Sequence, residues 1–468
     1  MSPSASSTGT SHPGPSLDGL RRVLAGDQAF ARVQAEAARG FDVRGQDYQI
    51  SAPAGLRAVL LAEMADGLAA AGAGERTLDG GIPAVVLAVT ATGREAEDLT
   101  AALRAYLPAD AVAEFPSWET LPHERLSPRS DTVGRRLSVL RRLAHPETST
   151  AGPLRVVVAP VRAVVQPIVA GLGELVPVTL TVGQDIPFSD VVRRLADAAY
   201  ARVDMVTHRG EFAVRGGIID VFPPTEDHPI RVEFFGDEVD QMRWFAVADQ
   251  RSLSSPGLHH PTVLHAPPCR EILITPSVMS RAATLKPQLP AAADMLEKIA
   301  GGIAVEGMES LAPVLVDAMV PFVDQLPAGS ISVVIEPEKV RTRAHDLAAT
   351  NEEFLEAAWS TASDGGGGHL DDARLGLRIQ GLHTGTRNLS VMEQLRQTLG
   401  RPGTISHHHY TPLLTNTGAD ELQHLGHIAL VATRFAGTHV EDIDVQDQIL
   451  VRGEGGDGPP GHAVFQRS

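Results

Sequence analysis

The stretch Ala84-Val-Val-Leu-Ala-Val-Thr90, followed by a Thr92-Gly93 turn and the helical pattern Arg94 to Tyr106, decides the fold. Its first part is an apolar, partly β-branched run of strand length, and the turn hands it directly to a helix. The same order stands just upstream. Tyr48 to Ala52 reads as a short strand, Pro53 to Gly55 as a turn, and Leu56 to Ala71 as a helix. Two strand–turn–helix units in succession predict a parallel sheet covered by helices.

Working outward, Leu17 to Ala38 reads as one amphipathic helix, with Asp18 as its cap and Gly40 as its stop. Downstream, Ala111 to Phe115 is the next strand, and Leu154 to Val158 opens another unit after a Pro-rich gap. Val176 to Val182 is a strand and Ser189 to Ala199 a helix. The pattern then changes to alternation over Glu211 to Phe222, Ile230 to Phe235 and Gln241 to Val247, which predicts a three-stranded antiparallel meander. Ser277 to Met319 is mainly helical, with a break near Pro287 to Pro290. Ile331 to Ile335 is a strand feeding the helix Glu338 to Trp359. Beyond about Ala362 the periodicity fails. Gly365 to Gly368 open a stretch holding nine of the 18 histidines, in which only segments such as Ile428 to Thr433 suit a strand.

Length and charge bound the function. The 468 residues suffice for two to four domains at ~100–200 residues each. A formal net charge of −17 argues against a broad basic surface tracking duplex DNA. The basic residues are 37 arginines and only three lysines, Lys286, Lys298 and Lys339. A GxxxxGK[ST] loop needs its Lys on the β- and γ-phosphates. No Lys precedes residue 286 and none of the three follows a Gly, so the sequence holds no such loop. Cys269 is the lone cysteine, so no disulfide framework, thiolate zinc site or CxxC pair can be built. The Ser-, Pro- and Gly-rich start lacks the pattern of a signal peptide, and the apolar runs stop short of the ~20 residues a membrane helix needs. A soluble cytoplasmic protein is expected.

Few motifs carry chemistry. There is no GxSxG elbow, and no GxGxxG follows a strand. His407, His408 and His409 cannot all face one ion in regular structure, and no metal site is expected. Between Phe115 and Pro128 lies a loop with aromatic and Leu anchors, followed by a helix carrying Arg135, Arg136, Arg141 and Arg142. That helix reads either as a solvated face or as a dock for an anionic partner. The segment Tyr200 to Pro224 holds Arg202, Arg209 and Arg215 near Phe212. In a continuous strand Arg209 and Arg215 share one face, with Phe212 on the other. Arginines beside an aromatic anchor suit a protein–protein hot spot.

These residues also carry a resemblance. Glu211-Phe-Ala-Val-Arg-Gly-Gly-Ile-Ile-Asp-Val-Phe222 with Ile230-Arg-Val-Glu-Phe-Phe-Gly-Asp-Glu238 resembles the segment shared by the excision-repair protein UvrB and the transcription-repair coupling factors. Trp118-Glu-Thr-Leu-Pro122, Leu126-Ser-Pro128, Ala248-Asp-Gln-Arg-Ser252 and Gly301-Gly-Ile-Ala-Val-Glu-Gly-Met-Glu309 resemble the coupling factors specifically. The resemblance covers about residues 17 to 362 and then stops, which suggests a truncated or frame-shifted product.

The resemblance implies an α/β fold: a degenerate RecA-like parallel sheet domain, an inserted α/β UvrA-binding domain and a partly antiparallel return segment. Mapped here, it implies a disordered tail over 1–16, the RecA-like domain over 17–115, the UvrA-interaction domain over 116–205, the return domain over 206–362, and a divergent or disordered tail over 363–468. In UvrB the turn before the first helix is a working P-loop. Here it reads Gly55-Leu56-Arg57, with Leu56 where Lys is needed, and is expected to be non-functional. The UvrA-binding residues expected are Arg202, Arg209, Phe212 and Arg215. The implied function is that of the module recruiting UvrA to RNA polymerase stalled at damaged DNA in transcription-coupled repair. The chain itself is expected to be a monomer, without enzymatic activity or cofactor. ATP and Mg belong to the family's translocase region. The alternative is a stand-alone UvrB-like subunit or a nucleotide-dependent repair enzyme.

Overall fold

In the computed structural model, which describes residues 17–24, 26–39, 48–74, 82–120, 126–149, 152–253, 259–364 and 427–430, the expected N-terminal helix is two. α1 (Asp18–Leu24) is separated from α2 (Gln28–Ala38) because the Asp27 side chain caps the second helix, accepting from Ala29 N at 2.7 Å. Asp18 is the first residue of α1 and not its cap. β1 (Tyr48–Ser51) leads into α3 (Arg57–Gly74), and β2 (Val86–Thr90) into α4 (Gly93–Leu103). The turn after β2 is a reciprocal cap: Thr92 Oγ1 accepts from Glu95 N, and the Glu95 carboxylate accepts from Thr92 N. β3 (Val112–Glu114), α5 (Ser130–Ala144), β4 (Val156–Pro160) and α6 (Val161–Val165) follow.

The chain then leaves this sheet. β5 (Ile168–Val169), β6 (Val178–Thr181) and α7 (Phe188–Asp197) precede five strands: β7 (Ala201–Arg202), β8 (Glu211–Arg215), β9 (Ile218–Val221), β10 (Ile230–Phe235) and β11 (Glu238–Trp244). These form a sheet in the order β11-β10-β9-β8-β7. β12 (Val263–Ala266) pairs with β6, and α8 (Pro276–Leu285), α9 (Ala293–Ala300) and α10 (Ala312–Leu315) build a helical cluster. β13 (Met319–Val320) pairs antiparallel with β5, closing the excursion where it began. β14 (Ile331–Ile335) returns to the first sheet and feeds α11 (Pro337–Asp364). β15 (His427–Leu430) lies between β1 and β14, antiparallel to both.

The first sheet has the order β1-β15-β14-β2-β4-β3, and its four strands β14, β2, β4 and β3 are parallel. β2 shows why the opening stretch was decisive. Val86 and Ala88 face one core with α2, α3 and α4, while Leu87 and Val89 face a second core with α5, α6 and α11. A strand with apolar residues on both faces is stable only in such a sandwich.

Two expected divisions cut through sheets. β4, beyond the boundary at 115/116, sits between β2 and β3. The boundary at 205/206 separates β7 from β8, its parallel partner. The three-stranded meander is also revised. Glu211 to Phe222 is no single strand, since Gly216, at φ +59, turns it back into the β8–β9 hairpin. The expected disorder of 1–16 lies outside the described residues, as does that of the tail apart from 363–364, which end α11, and the strand β15.

Candidate functional site

The carboxyl end of a parallel sheet is where such folds bind nucleotides, and the structure fills that position with charge. After β1 a single 3-10 turn over Ala54–Leu56 exposes Gly55 and starts α3. Arg57 turns across to an ion pair with Glu336, which follows β14 at φ +51. Lys339 holds the same carboxylate from the first turns of α11. Burial pushes Glu336 up, but the bonds from Lys339 and Arg57 outweigh it and hold the carboxyl below its ordinary value. Among the described residues no three His, Cys, Asp or Glu side chains group to hold a metal ion, and no helix is long and apolar enough to cross a membrane.

The four arginines of α5 have partners within the fold. Arg136 is fully buried against Glu271, with its guanidinium 4.3 Å from the Phe115 ring centre. Arg135 pairs with Glu114, Arg141 donates to the Gly173 carbonyl, and Arg142 to the Asp110 and Gly152 carbonyls. Internal partners therefore engage each of these cations. The Phe115 and Trp118 anchors are buried as expected.

The five-stranded sheet presents a different picture. Its register sorts side chains into rows, because directly paired residues share a face. Phe212, Val221, Ile230 and Trp244 form one row, and Val214, Ile219, Val232 and Met242 another, both on the side of the core with α7, β6 and β12. The opposite face carries the rows Ala213, Asp220, Arg231, Arg243 and Arg215, Ile218, Glu233, Gln241. Val206 and Phe245 bury Ala213 and Asp220 on this side, leaving the row of Arg215 and Gln241 as the open face. Arg231 makes a fork to Asp220 at 2.7 and 2.8 Å, and its guanidinium lies 4.8 Å from the Phe245 ring centre. Arg243 pairs with Glu233.

The four expected binding residues separate. Arg215 is exposed on the open face; its Nη2 donates to the Asp204 carbonyl at 2.6 Å, and no carboxylate pairs with it among the described residues. Arg202 is exposed on the edge strand and has no hydrogen bond or ion pair among the described residues. Its register with Phe212 puts it in the core-side row, across the sheet from Arg215. Arg209 lies before the strand, not in it: Nε donates to the Glu226 carbonyl at 2.8 Å, Nη2 meets Asp227 at 3.2 Å, and the guanidinium covers Phe222 at 5.3 Å. It fastens the loop before β10. Phe212 is 1% exposed and belongs to the core. It cannot meet a partner without unfolding the sheet, which corrects its reading as an anchor.

Sequence reasoning passed over Phe235, which is 81% exposed at the end of β10, and Met205, half-exposed beside the carbonyl that holds Arg215. The signal was present in Phe234-Phe235-Gly236, since consecutive strand residues face opposite ways and only one Phe can be inside.

With this geometry established, similarity to known proteins is specific. Residues 178–259 match the family model for the UvrB interaction domain, a span that starts at β6 and includes the whole five-stranded sheet. The chain is similar to the transcription-repair-coupling factor of Mycobacterium tuberculosis (strain CDC 1551 / Oshkosh), 55% identical over 290 residues, covering 60% of this chain and 23% of that protein. The transcription-repair-coupling factor of Bacillus subtilis (strain 168) is 31% identical over 219 residues, covering 45% of this chain and 16% of that one. UvrABC system protein B of Synechococcus elongatus is 34% identical over 176 residues, covering 35% and 25%. The chain thus spans a quarter or less of the length of these relatives. Residues 178–259 are thus similar to the UvrB interaction domain and lie in a region similar to part of the transcription-repair-coupling factors.

Proposed function

We propose that this chain is the module that recruits UvrA during transcription-coupled nucleotide excision repair, bringing it to RNA polymerase stalled at DNA damage. The observation that carries this reading is a coincidence of place. The matched domain, 178–259, also holds Arg202 and Arg215, both exposed and neither with a carboxylate partner among the described residues. Arg215 stands on the open side of the sheet, where Arg231 and Arg243 are neutralised by carboxylates of the sheet, and Arg202 stands at the edge strand on the core side. The interaction domain is redrawn accordingly, from β6 to Cys269, the span that shares one core.

The chain acts as a monomeric, cytoplasmic binding module and not as an ATPase. The ion pair Arg57–Glu336 at the head of the parallel sheet and the missing Lys support this. ATP-driven movement on DNA and release of polymerase belong to segments of longer relatives.

The test is a double charge reversal. Arg202→Glu with Arg215→Glu should abolish capture of UvrA in surface plasmon resonance, since each desolvated charge-assisted bond contributes ~1.5–3 kcal/mol. Circular dichroism and melting should not change, because both side chains are exposed. Wild-type affinity in the double variant would move the site elsewhere.

A further inference from the structure

We propose that Phe235 is the aromatic anchor of the docking face. Its partner presents an apolar pocket flanked by a carboxylate on one side and a cation on the other. The inference rests on the UvrA-recruiting reading above and adds what that surface recognises.

Phe235 is 81% exposed, more than any other large apolar side chain among the described residues. Its neighbours hold it there. Phe234 N donates to the Gly217 carbonyl at 2.8 Å, and the Phe234 ring packs edge-on against Phe188 at 5.1 Å. Beyond the turn at Gly236, Asp237 accepts from Phe188 N at 3.0 Å through Oδ1 and from Ile186 N at 2.8 Å through its carbonyl. The tip is therefore pinned from both sides. An aromatic ring carried on a fixed hairpin end loses little freedom on docking.

Placement ties this ring to the arginine. Phe235 pairs with Glu238, and the Arg215, Ile218, Glu233, Gln241 row lies two residues further up β10, across a bulge between Glu233 and Phe234. Arg215, Phe235 and Glu238 therefore share the open face on β8, β10 and β11. At ~4.8 Å per strand and ~3.3 Å per residue along β10, Arg215 stands about 12 Å from Phe235, with Glu238 one strand beyond. The order is cation, aromatic ring, acid. A complementary surface reads carboxylate, pocket, cation, and this order fixes one docking direction.

The charge around the ring selects the class of partner. Asp185, Asp237, Glu238 and Asp240 are all exposed at this end of the sheet. A phosphate backbone would be repelled, so the occupant is a protein.

The experiment uses the full chain and purified UvrA in surface plasmon resonance, with sedimentation of the chain alone. Phe235→Ala should weaken binding about 30-fold, the loss expected for a hot-spot side chain. Phe235→Trp should retain binding, and melting should stay unchanged in both. If wild type binds UvrA and Phe235→Ala binds within about twofold of it, the anchor is wrong and the recruiting function stands. If wild type does not bind UvrA, the function itself fails and takes the anchor with it. If wild type self-associates and Phe235→Ala is monomeric, the occupant is a second copy and the proposal is overturned.

Discussion

Arg136 Nε lies 2.5 Å from Glu271 Oε1, and neither side chain is exposed to solvent. Trp118 Nε1 donates to the same oxygen at 2.9 Å, and Arg136 Nη1 donates to the Pro116 carbonyl at 2.8 Å. The pair joins α5, which covers the first sheet, to the segment leaving the interaction domain. Next to it, Ser127 Oγ donates to Glu309 at 2.6 Å and Arg270 bridges both. Three stretches distant in sequence, 116–136, 270–271 and 309, thus close one junction.

Removing one member of the buried pair strands the other charge. Glu271→Leu or Arg136→Met alone should cost about 3–5 kcal/mol in urea unfolding. The double substitution should fall short of their sum by at least about 1.5 kcal/mol. Strict additivity would show that the two side chains do not depend on one another.

Phe212 and Arg209 should behave as structural residues. Phe212→Ala should destabilise by about 3–5 kcal/mol through the cavity it leaves. The folded fraction should bind UvrA as wild type does. A loss of affinity at unchanged stability would return Phe212 to the interface.

Glu309 sets a pH dependence. Burial raises its carboxyl above the ordinary 4.5, while Arg270 and Ser127 oppose the shift. Below 4.5 the folded and unfolded chains both carry the proton and the contribution is complete. It is lost as pH rises through the raised value, where the folded chain must hold a buried anion. The melting temperature of wild type should therefore fall relative to Glu309→Gln as pH climbs above 4.5. Parallel curves would contradict this.

Nucleotide should leave the chain untouched. A ligand present at a hundred times its Kd adds ~2.7 kcal/mol of stability. Millimolar Mg-ATP should give no thermal shift and no phosphate release. A shift that disappears in Arg57→Ala would place a nucleotide at the head of the sheet.

The sequence alone determined the layered α/β body and the absence of a lysine-bearing phosphate loop, because both are local properties. Val86 to Thr90 is apolar at every position before Thr90, and the following turn carries its own cap. The motif resemblance reached the interaction domain for the same reason. Two errors were also local. The Gly216-Gly217 turn and the cap at Asp27 are local punctuation inside stretches whose apolar pattern runs on past them. What only the tertiary structure decided is which charged and aromatic side chains remain available. Arg136 is engaged by a carboxylate 135 positions away, and Arg57 by one 279 away. Phe212 disappears beneath α7 and β6 while Phe235, on the same sheet, stays in solvent. Alternation assigns neighbouring residues to opposite faces, but which face is covered depends on elements that arrive from elsewhere in the chain.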